Sequence, residues 1–463
     1  MTGVAESRPR VLVVAYCFPP HAAIGTHRTL RLVSHLVDRG WQVDILTARP
    51  RAYLPSTPVD DSLLSRVPGD VRVVRSGALR GFTKLGRLLE PLKNRTRGVQ
   101  SAASTVSNPS DAKKLGIKVL LEELWAMPDK DVGWLTPALL RAVPAFATRR
   151  PDVIFSSAPP WTTHLVAGSL ASLFRCPWVA DFRDPWVRSP WTRYRTNAAV
   201  AIARRLESAV VRKAAAVLFT TNAARHEFAE YYGPEAARKF QVVTNGCDPT
   251  ELGAPESVSS DGPFLLLHAG TLYGGRSPVP LLRALASLRR SSVSAAACLR
   301  LRFLGSTGFP GVDLPAMCRA LGLQDVVEFL PRVDRGESLR EMQRASALVI
   351  LQGGTAMAIP GKLYEYLAAG RPLLALGEPG EMTQLVRAHR LGVTALPGDV
   401  TEIERALATL LAWSRRPFIP ARPSLYDGRL RAAEMAAILE RVIPARVPAD
   451  VVPHAAADGS RRA

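Results

Sequence analysis

Strand, helix and strand segments follow one another in the same order in both halves of the chain. The apolar run Val11–Tyr16 leads through a loop into Thr29–Arg39, whose apolar residues recur at helical spacing. Gly40 ends that helix, and Trp41–Thr47 is typical of a second buried strand. A strand–helix–strand unit of this kind builds a parallel sheet that is covered by helices.

The order repeats along the chain of 463 residues, with one interruption. Between Gly246 and Gly262 the sequence is rich in proline, serine and acidic residues, which indicates a linker. We therefore predict an α/β protein of two doubly wound domains, at 1–250 and at 262–425. The further predicted strands are Asp152–Ser156, Trp178–Asp181, Val217–Thr220, Phe264–His268, Leu299–Leu304, Val326–Leu330, Ala347–Leu351 and Pro372–Leu376. The further predicted helices are Thr162–Leu173, Pro278–Arg289, Leu314–Leu321 and one that begins with Leu363–Leu367.

Two segments do not fit this pattern. Residues 92–114 are basic and rich in serine and asparagine, so we predict an insertion there. Residues 446–463 are rich in alanine and proline, and we predict a disordered tail.

The formal net charge of +20 favours anionic partners such as nucleic acid, anionic lipid or phosphorylated substrates. No helix-turn-helix, zinc or RNP-like pattern supports a nucleic-acid-binding protein, so we predict no nucleic-acid partner. The cysteines form no C-x-x-C pair and lie near no histidine at metal spacing, which argues against a disulfide framework or a zinc site. They are Cys17, Cys176, Cys247, Cys298 and Cys318. A reducing cytoplasm fits this use of cysteine, and no apolar run approaches the roughly 18 residues of a spanning helix.

The loop after the first predicted strand, FPPHAAIGTHR, is the first candidate site. Gly25 would let a ligand approach the backbone, and Arg28 offers a fork-shaped partner for phosphate. The helix behind the loop presents free N–H groups to an anion. An ordinary strand–helix turn with a surface arginine explains the same residues, and the pattern G-x-G-x-x-G is absent.

The corresponding loop of the second half, AGTLYGGRSP, has three glycines and a cation before a helix. Gly270 and Arg276 are its candidate ligand-binding residues. Two such loops that face each other across a cleft suit a nucleotide diphosphate.

A third candidate is the stretch PGKLYEYLAAGRP. Lys362 lies in a first helical turn, where the helix dipole disfavours a cation, and it is the only lysine after residue 239. Lys362 therefore suits a phosphate, and Glu365 is placed to accept hydrogen bonds from ribose hydroxyls. The alternative is a capping glutamate beside a surface lysine.

The fourth candidate lies at a strand end, in PWVADFRDPW. Asp181 and Asp184 flank Arg183, so this group is a candidate for contact with a reacting substrate. Solvated charges at the end of a strand are the alternative.

Taken together, these stretches resemble the family 4 glycosyltransferases, which have the GT-B fold. The resemblance runs from Val11 to about Arg441 and is most specific in PGKLYEYLAAGRPLLAL, then in VADFRDPW, HAGTLYGGRSP, TNGCD and FPPHAAIGTHR. It implies two Rossmann-like domains facing a cleft, with the acceptor in the N-terminal domain and a nucleotide-sugar donor in the C-terminal one. It also implies that a helix within 426–445, for which Arg429–Val442 is the candidate, crosses back to the N-terminal domain.

The resemblance assigns roles to single positions. The family glutamate that holds the ribose matches Glu365, whereas the glutamate that contacts the donor sugar falls on Met357. The diphosphate-binding arginine and lysine fall on Thr271 and Arg276, and the histidine of the N-terminal domain falls on Arg183. An arginine stays protonated and is a poor general base, so we assign this site to the positioning of donor or acceptor.

The predicted sites are therefore two groups. The catalytic group is Asp181, Arg183 and Asp184. The donor-binding group is Gly25, Arg28, Gly270, Arg276, Lys362 and Glu365.

The resemblance further implies sugar transfer with retention of anomeric configuration and without a metal or other cofactor. A lipid-linked or polysaccharide-precursor acceptor of the cell envelope is the expected acceptor class. Two other interpretations keep the GT-B fold: a sugar-nucleotide epimerase, and a non-catalytic partner subunit, which the changes at Met357 and Thr271 suggest.

Tryptophans and cations in the first half suggest a peripheral contact with an anionic membrane. Four tryptophans lie between Trp161 and Trp191, and residues 186–195 alternate aromatic and basic side chains. Each cation near an anionic surface contributes about 1 kcal/mol. The basic residues concerned are Lys93, Arg95, Arg97, Lys113, Lys114 and Lys118. The alternative places the tryptophans in the core.

Overall fold

The structure is a computed structural model that describes residues 8–55, 57–79, 123–189, 194–253, 262–272, 276–291, 298–305, 308–413 and 418–444. These residues form two parallel sheets, each covered by helices, so the predicted pair of doubly wound α/β domains is confirmed. The predicted insertion at 92–114 and the predicted tail at 446–463 lie outside the described residues.

The N-terminal sheet has seven parallel strands in the order β3-β2-β1-β4-β5-β6-β7. The strands are β1 (Arg10–Val14), β2 (Gln42–Ala48), β3 (Arg72–Ser76), β4 (Val153–Ala158), β5 (Trp178–Phe182), β6 (Ala216–Phe219) and β7 (Phe240–Val242). The helices are α1 (Ile24–Asp38), α2 (Leu135–Phe146), α3 (Thr162–Phe174), α4 (Asn197–Lys213) and α5 (Asn222–Ala237). The central strands β1 and β4 are apolar and buried along nearly their whole length, as a sheet covered on both faces requires.

The C-terminal sheet has six parallel strands in the order β10-β9-β8-β11-β12-β13. The strands are β8 (Phe264–Gly270), β9 (Leu299–Gly305), β10 (Val327–Leu330), β11 (Ala347–Gln352), β12 (Leu373–Gly377) and β13 (Gly392–Ala395). The helices are α6 (Val279–Ser291), α7 (Leu314–Ala320), α8 (Arg335–Arg344), α9 (Gly361–Ala369), α10 (Glu381–Ala388) and α11 (Val400–Trp413). The chain order reverses beside the first strand of each sheet, and ligands of such sheets bind beyond the strand ends at that point.

The last described helix, α12 (Gly428–Val442), packs on the N-terminal domain. Met435, Ile438 and Leu439 of α12 are buried in the same cluster as Val11 and Val13 of β1. Backbone hydrogen bonds between Cys247 and the Tyr426–Gly428 turn hold the start of the helix. The two domains are therefore joined by this returning segment as well as by the linker.

The helix α1 begins earlier than the sequence predicted, which changes two candidate residues. Helical spacing placed its start at Thr29, but α1 starts at Ile24, so Gly25 and Arg28 lie in the helix rather than in a loop. Two further elements were missed because the charged helix α8 has few apolar residues and the strand β7 is only three residues long. The elements missed are β3, β7, β13, α2, α4, α5, α8, α10 and α11.

The tryptophans of the predicted membrane contact lie in the protein core, so that part of the hypothesis is wrong. Trp161 stacks on Trp186 with ring centroids 5.1 Å apart, and Trp178 and Trp186 are fully buried. Their indole N–H groups donate to Ser156 and Tyr194, which meets the hydrogen-bonding demand of buried tryptophan. Trp191 lies outside the described residues. Within the part of the chain that the structure describes, no helix is long and apolar enough to cross a membrane.

Candidate functional site

A cleft of about 630 Å³ lies between the domains, beyond the carboxyl ends of β1 and β8. Five of the predicted donor-binding residues line it, and most come from the C-terminal domain. They are Arg28, Gly270, Arg276, Lys362 and Glu365. The remaining site residues, Gly25, Asp181, Arg183 and Asp184, do not line this cleft.

Glu365 lies on α9 and faces the cleft between two cations. Its Oε2 atom is 2.7 Å from Lys362 Nζ one helical turn earlier, and its Oε1 atom is 2.7 Å from Arg335 Nη1. Burial raises the pKa of Glu365, but the Lys362 and Arg335 charges outweigh burial and leave the pKa below its ordinary value. The helix is not capped by a side chain, so the alternative of a capping glutamate does not hold.

Gly270 and Arg276 bring backbone and positive charge to the same side of the cleft. Gly270 ends β8, and Gly305 at the end of β9 packs against it with φ 131°, where a Cβ would lie 2.8 Å from the Gly270 oxygen. Only glycine suits position 305, because a residue with a Cβ would also be strained at this positive φ. The charges of Arg276 and Lys362 both lower the pKa of buried His268, so both cations lie near this side chain.

His268 forms the floor of this region. Its Nδ1 atom is 3.0 Å from the Val349 oxygen, and the side chain is buried. Burial is the main cause that lowers the pKa of His268 to about 4, and the Arg276 and Lys362 charges add to it. The imidazole is therefore neutral near pH 7 and adds no charge to this wall of the cleft.

Arg28 has a different role from the predicted one. It is 3% exposed, and its Nη2 and Nε atoms lie 2.9 and 3.0 Å from the two carboxylate oxygens of Asp181. Its remaining N–H groups donate to the Val243 and Thr244 carbonyls and to the Asn245 side chain. All five guanidinium donors therefore have partners within the protein, so Arg28 holds α1 to the sheet and leaves none for phosphate.

Asp181 is the fully buried partner of that pair. Its carboxylate accepts hydrogen bonds from Arg28 and, at 2.8 Å, from Ser157 Oγ. The interpretation of Asp181 as a group that touches a substrate is corrected here, because no face of the side chain reaches solvent. A fully paired buried carboxylate of this kind stabilises the fold.

Gly25 supports Arg183 rather than a ligand. A Cβ at Gly25 would lie 1.5 Å from Arg183 Nη1, so the arginine side chain occupies the space beside the first turn of α1. Arg183 Nη2 donates to the Pro159 oxygen, and burial raises the pKa of the neighbouring Asp184 carboxyl against the lowering effect of Arg183. Arg183 and Asp184 thus lie together beyond the carboxyl end of β5 in the N-terminal domain, and neither lines the main cleft.

Two hydrogen bonds join the domains near Met357. Thr221 Oγ1, at the start of α5, donates to the Met357 oxygen over 2.6 Å. The Ala223 amide donates to Glu381 Oε1, also over 2.6 Å. The Met357 loop is therefore held against the N-terminal domain by its backbone.

Sequence patterns did not point to Arg335, although it contacts Glu365. It is the first residue of α8, and Asp334 caps that helix by accepting a hydrogen bond from the Glu337 amide. The D-x-x-E spacing at 334–337 is a helix-start signal that would have located Arg335 in the first turn of a helix, although not beside Glu365. Among the described residues, histidine, cysteine, aspartate and glutamate form no group of three or more that suits a metal ion.

Each half of the chain matches a model of a known protein family. Residues 25–246 match the model of a glycosyl transferase 4-like domain, and residues 263–412 match that of glycosyl transferases group 1. No curated protein sequence matches the chain.

Several solved structures share the fold at low sequence identity. HepE of Anabaena, solved in complex with UDP, is 15% identical with a TM-score of 0.56, and the match covers 94% of this chain and 100% of that one. Sucrose-phosphate synthase of Thermosynechococcus elongatus is 16% identical with a TM-score of 0.56, covering 94% of this chain and 97% of that one. WaaG, a glycosyltransferase involved in lipopolysaccharide biosynthesis, is 14% identical with a TM-score of 0.51, covering 94% and 100%. The predicted GT-B fold is confirmed, and the chain belongs to the GT-B glycosyltransferases of the family 4 type.

Proposed function

We propose that this glycosyltransferase binds a nucleotide-sugar donor on the C-terminal wall of the cleft and transfers the sugar to an acceptor at the N-terminal wall. The observation that carries the proposal is the group formed by Glu365, Lys362 and Arg276 beside the Gly270 turn. A carboxylate beside two cations and a close backbone suits a ribose followed by a diphosphate. The HepE structures in complex with UDP and with UDP-glucose are of the same fold and support this class of donor.

Each group has a defined task in this proposal. Glu365 is ionised near pH 7 because its pKa is lowered, so it accepts hydrogen bonds from the ribose hydroxyls. Lys362 and Arg276 stabilise the negative charge on the diphosphate as the bond from the anomeric carbon to the phosphate oxygen breaks. The leaving nucleoside diphosphate keeps the electron pair, and the acceptor oxygen forms the new bond to the sugar.

Retention of anomeric configuration is part of the proposal and follows from the family resemblance. A guanidinium has no acceptor and cannot serve as a general base, so Arg183 acts by positioning, with Asp184 as its polar partner. Where the resemblance places the sugar-binding carboxylate, this chain has Met357, whose amide donates to Thr355 and whose oxygen accepts from Thr221. Recognition of the sugar therefore has to use other contacts. NMR of the purified product tests retention, since the anomeric proton coupling distinguishes the two configurations.

We also propose a cytoplasmic enzyme whose acceptor is a lipid-linked or polysaccharide precursor. The net charge of +20 and the fold shared with WaaG support an anionic surface nearby. Flotation with anionic vesicles at low and high salt tests this. Salt-sensitive binding is expected, and a protein that stays with the soluble fraction at low salt indicates a soluble acceptor.

A thermal-shift screen with UDP, GDP, ADP and TDP tests the donor class, because a ligand that binds the folded state raises the unfolding temperature. The nucleotide that gives the largest shift is then titrated against Glu365→Ala. We expect at least tenfold weaker binding, which corresponds to about 1.4 kcal/mol or more. Unchanged affinity in this variant would show that the ribose role is wrongly assigned.

Glu341→Ala is a matched control for that titration. The Glu341 side chain is 16% exposed and paired with Arg302 at 2.7 Å, much as the Glu365 side chain is 13% exposed and paired with Arg335. Glu341 does not line the cleft. Removal of the Glu341 carboxylate is expected to leave nucleotide affinity unchanged.

An activity assay of the wild type tests the alternative of a non-catalytic subunit. Release of the free sugar from the donor, or its transfer to an acceptor, excludes that alternative.

A further inference from the structure

A row of alternating charges runs from the N-terminal domain to Glu365. Arg66 Nη1 pairs with Glu251 Oε1, and the Glu251 Oε2 atom lies 2.6 Å from Arg335 Nη2. Arg335 Nη1 lies 2.7 Å from Glu365 Oε1. We call Arg66, Glu251, Arg335 and Glu365 the charge row.

The members of the charge row come from four separate parts of the fold. Arg66 ends a short turn of the N-terminal domain, Glu251 lies in the Pro249–Leu252 turn that follows that domain, and Arg335 begins α8. The row therefore crosses from one domain to the other beside the cleft. Its last member is the residue that the proposed function assigns to the ribose.

Partial burial makes these contacts stronger than ordinary surface ion pairs. The Arg335, Glu251 and Glu365 side chains are 36%, 16% and 13% exposed. Charges that are partly removed from water interact more strongly than fully solvated ones. Arg335 also uses its planar fork to bind two carboxylates at once, a geometry that a lysine does not reproduce.

We propose that Arg335 is a positioning residue that fixes the Glu365 carboxylate for the nucleotide, and that Glu251 and Arg66 couple this position to the N-terminal domain. The proposal rests on the proposed function, since it gives Glu365 its ligand. Without Arg335, Glu365 retains only Lys362 and turns toward it, away from the α8 side of the cleft. Coupling of this kind is reciprocal, so nucleotide binding also favours the domain arrangement in which the row is complete.

Calorimetric titration with UDP, or with whichever of the four diphosphates gives the largest thermal shift, tests the role of Arg335. Arg335→Gln is expected to bind about tenfold more weakly than the wild type, and Arg335→Lys to recover part of the loss. Arg340→Gln is the matched control, since Arg340 lies on the same helix in an ion pair with Glu337 and does not line the cleft. If Arg335→Gln and Arg340→Gln bind with equal affinity, the positioning role is wrong.

A double-mutant cycle separates this inference from the proposed function. With Glu365→Ala in place, Arg335→Gln should cause no further loss, because the residue that it positions is gone. Full additivity would overturn the positioning role while leaving the ribose role intact, whereas unchanged binding in Glu365→Ala alone removes the ribose role itself. Thermal unfolding of each variant establishes that it folds, and Arg335→Lys supplies the comparison if Arg335→Gln does not fold.

Glu251→Gln and Arg66→Gln test the coupling to the N-terminal domain. Each is expected to weaken UDP binding about threefold, and the two together should weaken it no more than either one. Neither residue belongs to the group assigned to the nucleotide, so such a loss would not arise from a lost ligand contact. Wild-type affinity in both variants would overturn the coupling and limit the role of Arg335 to the C-terminal domain.

Discussion

A cation–carboxylate pair near the carboxyl end of the N-terminal sheet can be compared with one near the carboxyl end of the C-terminal sheet, and burial gives the two pairs different roles. Arg28 and Asp181 of the N-terminal domain lie 2.9 Å apart, with side chains 3% and 0% exposed. Lys362 and Glu365 of the C-terminal domain lie 2.7 Å apart, with side chains 32% and 13% exposed. The first pair is saturated by protein groups, whereas the second pair opens onto the cleft.

The difference teaches that charge at a strand end does not by itself indicate a ligand site. A buried charge has lost its water and must find all its partners in the protein, as Arg28 does. A half-exposed charge keeps part of its hydration, which a phosphate or a hydroxyl group can replace. The predictions below test this contrast between a structural pair and a ligand-binding pair.

The largest expected effect is on stability, from Asp181→Asn. The substitution leaves the Arg28 cation buried without its counter-charge, which costs about 3–5 kcal/mol. The midpoint of urea unfolding should fall accordingly. Lys362→Met, by comparison, should cost less than about 1 kcal/mol, because the lysine is partly solvated. A folded Asp181→Asn protein of wild-type stability that fails only in sugar transfer would make Asp181 a catalytic residue after all.

The next effect concerns Arg183 and Gly25, which should act as one unit. Arg183→Ala is expected to lower the transfer rate about 100-fold, as loss of a positioning group can do, while nucleotide affinity stays near that of the wild type. Gly25→Ala should have the same effect, since its Cβ would meet the Arg183 guanidinium. The double variant should be no slower than either single one. Normal transfer rates in Arg183→Ala would remove Arg183 from the site.

A smaller effect is expected from Lys362→Met, which removes one of the two cations proposed for the diphosphate. Nucleotide affinity should fall about tenfold at low salt, or about 1.4 kcal/mol, and the loss should shrink as salt screens the interaction. Lys239→Met is the control, because Lys239 donates to the Arg212 and Ala214 carbonyls on the far side of the N-terminal domain. Equal affinities in the two variants would show that Lys362 is a surface charge.

The sequence predicts the Lys362–Glu365 pair better than the Arg28–Asp181 pair for a physical reason. Lys362 and Glu365 are three residues apart on one helix, so their contact follows from local spacing. Arg28 and Asp181 are 153 residues apart, and only the packed sheet shows that they meet. The same holds for Arg335, whose partners Glu251 and Glu365 belong to other elements.

The tryptophans illustrate the same limit. Clustering of Trp161, Trp178 and Trp186 in sequence suggested a surface, but β5 and the turns that follow β4 and β5 carry these side chains into one core. The fold class, in contrast, was predictable, because alternating strands and helices with apolar strand interiors leave few other arrangements. Local periodicity thus determines the elements, while the long-range partner of each charge determines whether it is structural or functional.

The smallest expected effect is on pH dependence, and it sharpens the contrast at Glu365. In the wild type the Lys362 and Arg335 charges hold the Glu365 pKa below its ordinary value of 4.5, so the carboxylate persists as the pH falls from 7 to 5. In Arg335→Gln one cation is lost and burial remains, which raises that pKa, so protonation begins at higher pH. The ratio of wild-type to variant UDP affinity should therefore grow a few-fold toward pH 5.

Titration of His27 could cause the same pH effect, and an experiment can distinguish it from titration of Glu365. Burial, with a contribution from Arg335, lowers the pKa of His27 to about 4, so Arg335→Gln also eases protonation of His27. Introducing Glu365→Gln removes the carboxylate and leaves His27 in place. If Glu365 is the titrating group, the effect of Arg335→Gln in this background is the same at pH 5 and pH 7. A pH-dependent effect that survives Glu365→Gln would assign the titration to His27. The charge that affects nucleotide binding would then lie on α1, the helix of the buried Arg28–Asp181 pair, where we expect no ligand-binding charge.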